Sequence, residues 1–190
     1  MSLYSYLLAH DSGSAPNPFR GTCTLAICKP AIRRTAQVGD WIIATGRKNS
    51  ITHRKLVYAM QIAEKIPQEN YFRDKRFRAK QPNLKSKHWH DWLGDNIYQP
   101  NPDGTLTQLP GPEKRHTPEK DLSGKYALIA NHFYYFGRDA IPLPPSFEKL
   151  IHANQGHRKE FPQDLVTKFL NWLERTHKPG LHGDPLDAPI

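Results

Sequence analysis

The sequence predicts an α+β domain whose strands form a small mixed β-barrel with flanking helices. Five or six short runs of apolar and β-branched residues alternate with three or four helical segments. A length of 190 residues suits one domain with a sizeable core. Seventeen prolines, about 9% of the chain against a usual ~5%, predict long ordered loops between short elements. We therefore expect a single domain over residues 1–190, with an irregular tail over 178–190.

The first elements follow from apolar runs and the turn formers between them. Residues 3–9 are apolar or aromatic apart from Ser5, which predicts a buried strand. Residues 11–20 are rich in turn formers and predict an irregular loop before a second short strand at 22–28. A proline then opens a helix over 31–37, since proline is tolerated in a first turn. A Gly-Asp turn leads into a β-branched strand at 41–45.

The middle of the chain is less regular. Residues 56–66 fit either a helix or a strand, and we favour a strand because the run follows a turn-rich segment and ends at a proline. Residues 69–78 predict a helix with aromatic and basic groups on opposite faces. Residues 80–90 predict a loop. Residues 94–108 contain a Pro-Asp-Gly turn and predict a hairpin.

The last part holds the longest β-like run and the clearest helix. A proline-rich connection over 109–123 leads into residues 125–136, which predict a central strand. After a second proline-rich loop, Ser146 predicts the cap of a short helix over 147–153. Residues 163–177 place apolar side chains at helical spacing and predict an amphipathic helix.

The net charge of +9 is concentrated in two segments. Residues 29–55 and 71–90 each hold seven Lys or Arg against one Asp, which leaves the remainder mildly acidic. Such segments are typical of a surface that binds a polyanion. Aromatic residues interleave with the second segment, as they do where bases stack between phosphate contacts. The alternative is a solvated basic helix whose aromatics face the core.

Several chemistries find little support in the sequence. No apolar run reaches the length of a membrane span, so we expect no membrane partner. Two cysteines cannot form a disulfide framework, which predicts a reduced, cytoplasmic setting. Cys23 and Cys28 fall on opposite faces of a strand, so no metal site is predicted. Walker-type and dinucleotide glycine loops are absent, and no cofactor is expected. A thiol nucleophile at Cys28, beside Lys29, stays an alternative.

A base-binding pocket needs aromatic walls and a few directed polar groups. The sequence offers Asn17 in a proline-bracketed loop, Asp40 with Trp41, and Asp95 with Asn96. Each has a structural alternative: Asp40 suits a turn, Trp41 suits a core, and Asn17 suits the organisation of its own loop.

Four stretches resemble the bacterial and phage family called nucleotide modification associated domain, second type. They are residues 4–46, with the motifs APNPF, CTLAICKP and GDWI, and residues 94–98, 131–137 and 155–173. The order of strand, loop, helix, Gly-Asp and strand is similar, more distantly, to PUA-like domains of the EVE and ASCH kind. The resemblance implies a small PUA-like barrel with a base pocket between the first helix and the neighbouring strands. It also implies association with base-modification or phage-defence systems.

The resemblance and the residue types together give a candidate site. The predicted base pocket comprises Asn17, Phe19, Cys23, Asp40, Trp41, Thr45, Asp95, Asn96, Tyr98, Phe136 and His157. The predicted phosphate ligands are Lys29, Arg33, Arg34, Arg47, Arg73, Arg76 and Lys80. The resemblance assigns no catalytic residue.

Three functions follow in order of preference. The first is a binding module that recognises a modified base in DNA, with DNA-modification enzymes as further candidate partners. The second is an enzyme acting on a modified nucleotide, a transferase or glycosylase-like hydrolase, with Asp40, Asp95 or His157 as acid or base and Cys23 or Cys28 as thiol. The third is an interaction subunit that docks through the helix at 163–177.

Overall fold

A computed structural model describes residues 1–111, 117–152 and 154–188. The architecture is mixed α+β. The strands are β1 Leu3–Leu8, β2 Cys23–Leu25, β3 Trp41–Gly46, β4 Lys55–Gln61, β5 Glu64–Pro67, β6 Tyr98–Pro100, β7 Leu106–Gln108, β8 Tyr126–Ala130, β9 His132–Tyr135, β10 Ile141–Pro142, β11 His157–Arg158 and β12 Gly180–Leu181. The α-helices are α1 Pro30–Thr35, α2 Gln68–Arg73, α3 Pro118–Leu122 and α4 Gln163–Thr176. Short 3₁₀ helices cover Lys75–Lys80, Trp89–Trp92, Gly137–Asp139 and Pro145–Leu150.

The described strands form three sheets, and none of the three closes into a barrel. The main sheet has the order β11-β1-β3-β4-β9-β12, with β10 added beside β4. Its β1–β3 and β9–β12 pairs are parallel, and its other pairs are antiparallel. A second sheet has the order β2-β8-β5, and β6 with β7 forms the predicted hairpin. The α+β class is confirmed, whereas the closed barrel is not.

Two predicted strands each divide between the two larger sheets. The run at 56–66 forms β4 in the main sheet and then β5 in the second sheet. The run at 125–136 forms β8 in the second sheet and then β9 in the main sheet. Strands that pass from one sheet to another make corners between sheets. The two sheets are therefore joined at two corners, with one core cluster drawn from both.

The four long strands of the main sheet, β1, β3, β4 and β9, are mostly buried on both faces, which is why their sequences are largely apolar. Ile42 and Tyr58 point into the cluster shared with the second sheet. The opposite face carries Trp41 and Tyr134, which pack in a second cluster with the apolar side of α4. The predicted amphipathic helix is thus confirmed as α4, and its buried face covers the sheet. That placement does not support docking of a partner on this face.

Other predicted elements differ at their ends. The helix expected over 69–78 stops at Asp74, whose backbone is extended and whose carboxylate accepts a hydrogen bond from the Arg76 amide. A 3₁₀ helix follows instead. The short helix expected over 147–153 is a 3₁₀ helix over Pro145–Leu150 without a side-chain cap from Ser146, and position 153 lies outside the described residues.

Two segments expected to lack regular structure hold short elements. The connection at 109–123 contains α3, and positions 112–116 of it lie outside the described residues. The tail contributes β12 to the main sheet before positions 189–190, which also lie outside the described residues. None of the helices in the described part of the chain is long and apolar enough to cross a bilayer.

Candidate functional site

A cavity of about 440 Å³ lies where the end of β1, the start of α1 and the strand β11 meet. This volume falls within the ~300–1,000 Å³ range of small-molecule sites. Its described lining residues are Leu8, Ala9, His10, Ala15, Cys28, Lys29, Pro30, Ala31, Ile32, Thr117, Lys120, Asp121, Gln155, Gly156 and His157. Two lysines, two histidines and one aspartate accompany an otherwise mostly apolar wall. The cavity therefore combines a cationic rim with a surface that an uncharged ring can contact.

The turn before α1 brings Cys28 and Lys29 to the cavity. Both residues have left-handed backbones, with φ of 58° and 40°. Non-glycine residues rarely adopt this conformation because Cβ crowds the following carbonyl, at a cost of roughly 1–2 kcal/mol each. Asp121 Oδ1 accepts a hydrogen bond of 2.7 Å from the Cys28 amide, and Arg33 Nε donates one of 2.7 Å to the Cys28 carbonyl. These two partners hold the turn in place.

Arg33 and Asp121 form the buried support of this turn. The Arg33 guanidinium also donates to the carbonyls of Asp121 and Tyr126. Asp121 Oδ2 accepts a bond of 3.0 Å from the Tyr98 hydroxyl. Burial lowers the pKa of Arg33, and the Asp121 carboxylate opposes that effect. Burial and then the Asp121 charge raise the pKa of Tyr98, so the phenol stays a donor.

Lys29 is the half-buried cation of the cavity. Its Nζ donates to the Leu7 carbonyl at 3.3 Å and lies 4.1 Å from the centre of the Tyr6 ring, two contacts that β1 supplies. Burial lowers the pKa of Lys29 from its usual value of 10.5. An ammonium has three N–H donors, and the described partners of Lys29 are one carbonyl and one ring. Lys29 therefore keeps donors for an anion.

Two histidines flank Lys29. His157 belongs to β11, which pairs with β1, and its ring lies 5.6 Å from the ring of Tyr4. Burial first, then the charges of His152, Lys159 and Lys29, lower the pKa of His157 below 6.5. Its imidazole is therefore neutral at pH 7, with one donor and one acceptor nitrogen. His10 also lines the cavity, with its Nδ1 3.9 Å from Asp187 Oδ2.

Asp11, next to His10, holds the C-terminal residues Leu186 and Asp187 in place through hydrogen bonds. The Asp11 amide donates to Asp187 Oδ2 at 2.9 Å, and the Asp187 amide returns a bond of 2.8 Å to the Asp11 carbonyl. The Asp11 carboxylate accepts from the Tyr135 hydroxyl and from the Leu186 amide. Burial, with the Asp187 charge as a smaller contribution, raises the pKa of Asp11 to about 6, and these hydrogen bonds oppose the rise.

This raised pKa predicts a pH dependence of stability. Because Asp11 is harder to ionise in the folded state, the folded chain binds more protons than the unfolded chain between about pH 4 and 6. The stability that protonated Asp11 contributes is therefore fully present below about pH 4 and is lost as the pH rises through about 6. About two pKa units correspond to about 3 kcal/mol. Urea unfolding of wild type and Asp11→Asn should therefore show wild type losing about 3 kcal/mol relative to the variant between pH 4 and 7. An unchanged difference at the two pH values would contradict the burial of an ionising Asp11.

The cavity contains His157 from the predicted pocket and Lys29 from the predicted phosphate ligands. Asp40, Trp41, Thr45 and Phe136 lie elsewhere, in or beside the main sheet. Asp40 accepts hydrogen bonds from the Ser2 and Gln37 amides and so forms a turn. Trp41 is 2% exposed and packs with Tyr134 in the core under α4. This placement does not support a role as a pocket wall.

Three of the remaining predicted pocket residues, Asn17, Asp95 and Asn96, belong to a buried polar cluster near the second sheet. Asp95 accepts hydrogen bonds from the Ala26 amide and the Tyr71 hydroxyl. Asn96 donates to the Tyr71 and Phe77 carbonyls. Cys23 is fully buried in the core, where burial raises the pKa of its thiol to about 12 and makes a thiolate unfavourable. These polar groups are satisfied within the fold.

Lys80 is the cation of that cluster. Its Nζ donates to the carbonyls of Asn17, Phe19 and Thr22 and to Asn17 Oδ1, at 2.6–3.0 Å. Burial lowers the pKa of Lys80 to about 8, with Asp95 opposing the shift. Because Lys80 is 2% exposed and bonded to backbone oxygens, its placement does not support phosphate binding, and the same holds for Arg33.

The other predicted phosphate ligands are exposed. The Arg76 guanidinium donates hydrogen bonds to the carboxylates of Asp74 and Glu64, which leaves few N–H donors for a phosphate. Arg34 donates to the Ser123 carbonyl. Arg47 and Arg73 are exposed and form no ion pair within the described residues. These residues stay candidates for contacts outside the cavity.

Sequence reasoning missed His10 and Lys120 as lining residues. His10 follows β1 and Lys120 belongs to the short helix α3, and neither position carries a spacing or motif that points to a site. No group of three potential metal ligands occurs in the part of the chain that the structure describes.

Comparison of the sequence with known protein families gives a match. The family model described as nucleotide modification associated domain 2 matches residues 1–190. Searches of curated proteins and of solved structures gave no match. The family description associates such chains with nucleotide modification, and the resemblance noted in the sequence is confirmed. The chain belongs to the nucleotide modification associated domain 2 family.

Proposed function

We propose that the chain recognises a modified nucleotide of DNA by binding it in the cavity between β1, α1 and β11. The observation that carries the proposal is the presence of Lys29, Lys120 and two histidines on one small, partly apolar cavity. Lysine ammonium groups suit a phosphate, and aliphatic side chains such as Ile32 suit the face of a base. A neutral His157 supplies one donor and one acceptor to the edge of the base.

The location agrees with the PUA-like resemblance. That resemblance implies a base pocket between the first helix and the neighbouring strands, and the cavity lies between α1 and β1. Discrimination of a modified base would come from contacts to its substituent, because a site built to hydrogen-bond one polar group disfavours a ligand that lacks it. A base within duplex DNA would first leave the stack, at a cost of a few kcal/mol.

Equilibrium binding tests the proposal directly. Isothermal titration with deoxynucleoside monophosphates, each with and without a substituent on its base, should give tighter binding of at least one substituted member. Lys29→Met should weaken that binding by about 1.5–3 kcal/mol, the value of hydrogen bonds to charged groups.

The matched control for this titration is Lys168→Met. Lys168 lies on the exposed side of α4 and does not line the cavity, and its ion pair with Asp164 is exposed. Binding by this variant should equal that of wild type. The proposal is contradicted if no nucleotide binds, or if the Lys29 and Lys168 variants bind equally well.

One observation favours an enzyme as the second candidate function. Cys28 and His157, a thiol and an imidazole that the sequence offered as catalytic candidates, line the same cavity. Asp40 and Asp95 do not line it. An enzyme would lose turnover but keep nucleotide binding in Cys28→Ala, whereas a binding module would show no turnover in either form.

A further inference from the structure

A closed surface loop over residues 83–91 lies outside the cavity. The Asn83 amide donates to the Asp91 carbonyl at 2.6 Å, so the two ends of the loop meet. Ser86 Oγ donates to Asp91 Oδ2 at 2.6 Å, and Trp92 Nε1 donates to the Ser86 carbonyl at 2.8 Å. Arg20 forms an ion pair with Asp91 from outside the loop. Surface loops closed in this way are compact and are often functional.

The loop presents a stack of aromatic rings. The Trp89 and His90 rings are stacked, with centres 3.8 Å apart and planes at 25°. Phe19 meets both rings edge-on, at 5.9 and 4.8 Å. Trp89 is partly exposed and belongs to none of the core clusters of the described residues. An indole held in this way, on a loop with defined hydrogen bonds, is a platform on which a further ring can stack.

The loop itself carries a net positive charge. Lys85, Lys87 and His88 are exposed on the loop, and none of them forms an ion pair within the described residues. The single carboxylate of the loop, Asp91, is bound by Arg20 and Ser86. Outside the loop, Asp184 Oδ1 lies 3.7 Å from His90 Nε2, on the second ring of the pair. Ring stacking next to unpaired cations suits a partner that repeats a flat base and an anionic phosphate.

We infer that the 83–91 loop binds single-stranded nucleic acid, with one base stacked on the Trp89–His90 pair and the flanking phosphates at Lys85 and Lys87. A single strand is the partner because a base must be free of its duplex neighbours to stack on a side chain. This inference does not rest on the proposed nucleotide cavity. It gives the chain a contact with nucleic acid that tolerates any base sequence.

Fluorescence anisotropy with a labelled, unmodified single-stranded oligonucleotide tests the stacking contact. Trp89→Ala should weaken binding by roughly 5- to 140-fold, which is the range for loss of one base–aromatic stack. Trp89→Phe should keep most of the affinity because it retains a ring. Leu84→Ala is the matched control, since Leu84 is a 48% exposed apolar residue of the same loop, and this variant should bind as wild type does.

Salt dependence tests the phosphate contacts separately. The double variant Lys85→Ala/Lys87→Ala should reduce the slope of log K against log[salt] by about 1.4, because each single-strand phosphate contact contributes about 0.7. Lys168→Ala should leave the slope unchanged. Failure of the loop is distinguishable from failure of the cavity, because the cavity is tested with monophosphates and Lys29→Met, whereas the loop is tested with an unmodified oligonucleotide and the loop variants.

Three results would overturn the inference. One is wild-type affinity in both Trp89→Ala and the double lysine variant. Another is tighter binding of the matching duplex than of the single strand by wild type. The third is the absence of oligonucleotide binding by wild type at low salt, where phosphate contacts are strongest.

Discussion

Replacement of Lys80 by methionine should destabilise the folded chain by about 3–5 kcal/mol, the cost of removing one partner from a buried ionic cluster. The Lys80 ammonium shares its three N–H donors among four oxygens of the loop at 13–22. Methionine has a similar length but no donor, so these oxygens would lose the hydrogen bonds from Lys80, and within the described residues the Asn17 carbonyl alone would keep its bond from the Thr24 amide. Asp95 would also lose the cation that favours its ionised form.

Urea unfolding at pH 7 measures this loss. Lys75→Met is the control, because Lys75 starts the same 3₁₀ helix and is exposed, so its replacement should change stability by no more than about 0.5 kcal/mol. Losses below about 1 kcal/mol in Lys80→Met would mean that the oxygens find other donors, and the structural role assigned to Lys80 would be wrong.

The second large effect is expected at Arg33. Arg33→Met should cost about 3–5 kcal/mol, because Arg33 is fully buried and its guanidinium is bonded to three carbonyls. The loss should extend to the cavity, since Arg33 holds the strained turn at Cys28 and Lys29. Nucleotide affinity of the folded fraction should therefore fall as well.

The neighbouring Arg34 provides a close control for Arg33. Arg34 is exposed on the same helix and donates to one carbonyl, so Arg34→Met should change stability by no more than about 0.5 kcal/mol. Gly124→Ala gives an independent test, because a Cβ at position 124 would overlap the Arg33 guanidinium. Equal stabilities of the Arg33, Arg34 and Gly124 variants would contradict this assignment.

The secondary structure that the sequence predicts well is the part fixed by local pattern. Helix α4 follows from apolar spacing over 14 residues, and the hairpin follows from its Pro-Asp-Gly turn. The corners between the two larger sheets leave no such pattern, because each corner is only one or two residues long within a β-like run: 62–63 between β4 and β5, and Asn131 between β8 and β9. The sequence therefore shows long strands at 56–66 and 125–136, and the division of each strand depends on tertiary packing.

The site is predicted less completely, for a physical reason that Lys80 and Arg33 illustrate. A cation in a basic segment predicts a charged surface, since buried cations are rare. Their partners here are backbone carbonyls, and one that Arg33 binds is 93 residues away in the chain. Every residue has a carbonyl, so side-chain types carry no signal for such contacts. Of the predicted site residues, Lys29 and His157 line the cavity.

The central claim is that a nucleotide occupies the cavity beside Lys29. Its most direct test is an NMR titration of the ¹⁵N-labelled chain with the substituted deoxynucleoside monophosphate that binds best. We expect the largest shifts at the amides of residues 28–29 and 156–157 and at the ring nitrogens of His10 and His157. Shifts confined to other parts of the chain, with these signals unmoved at saturation, would contradict the claim.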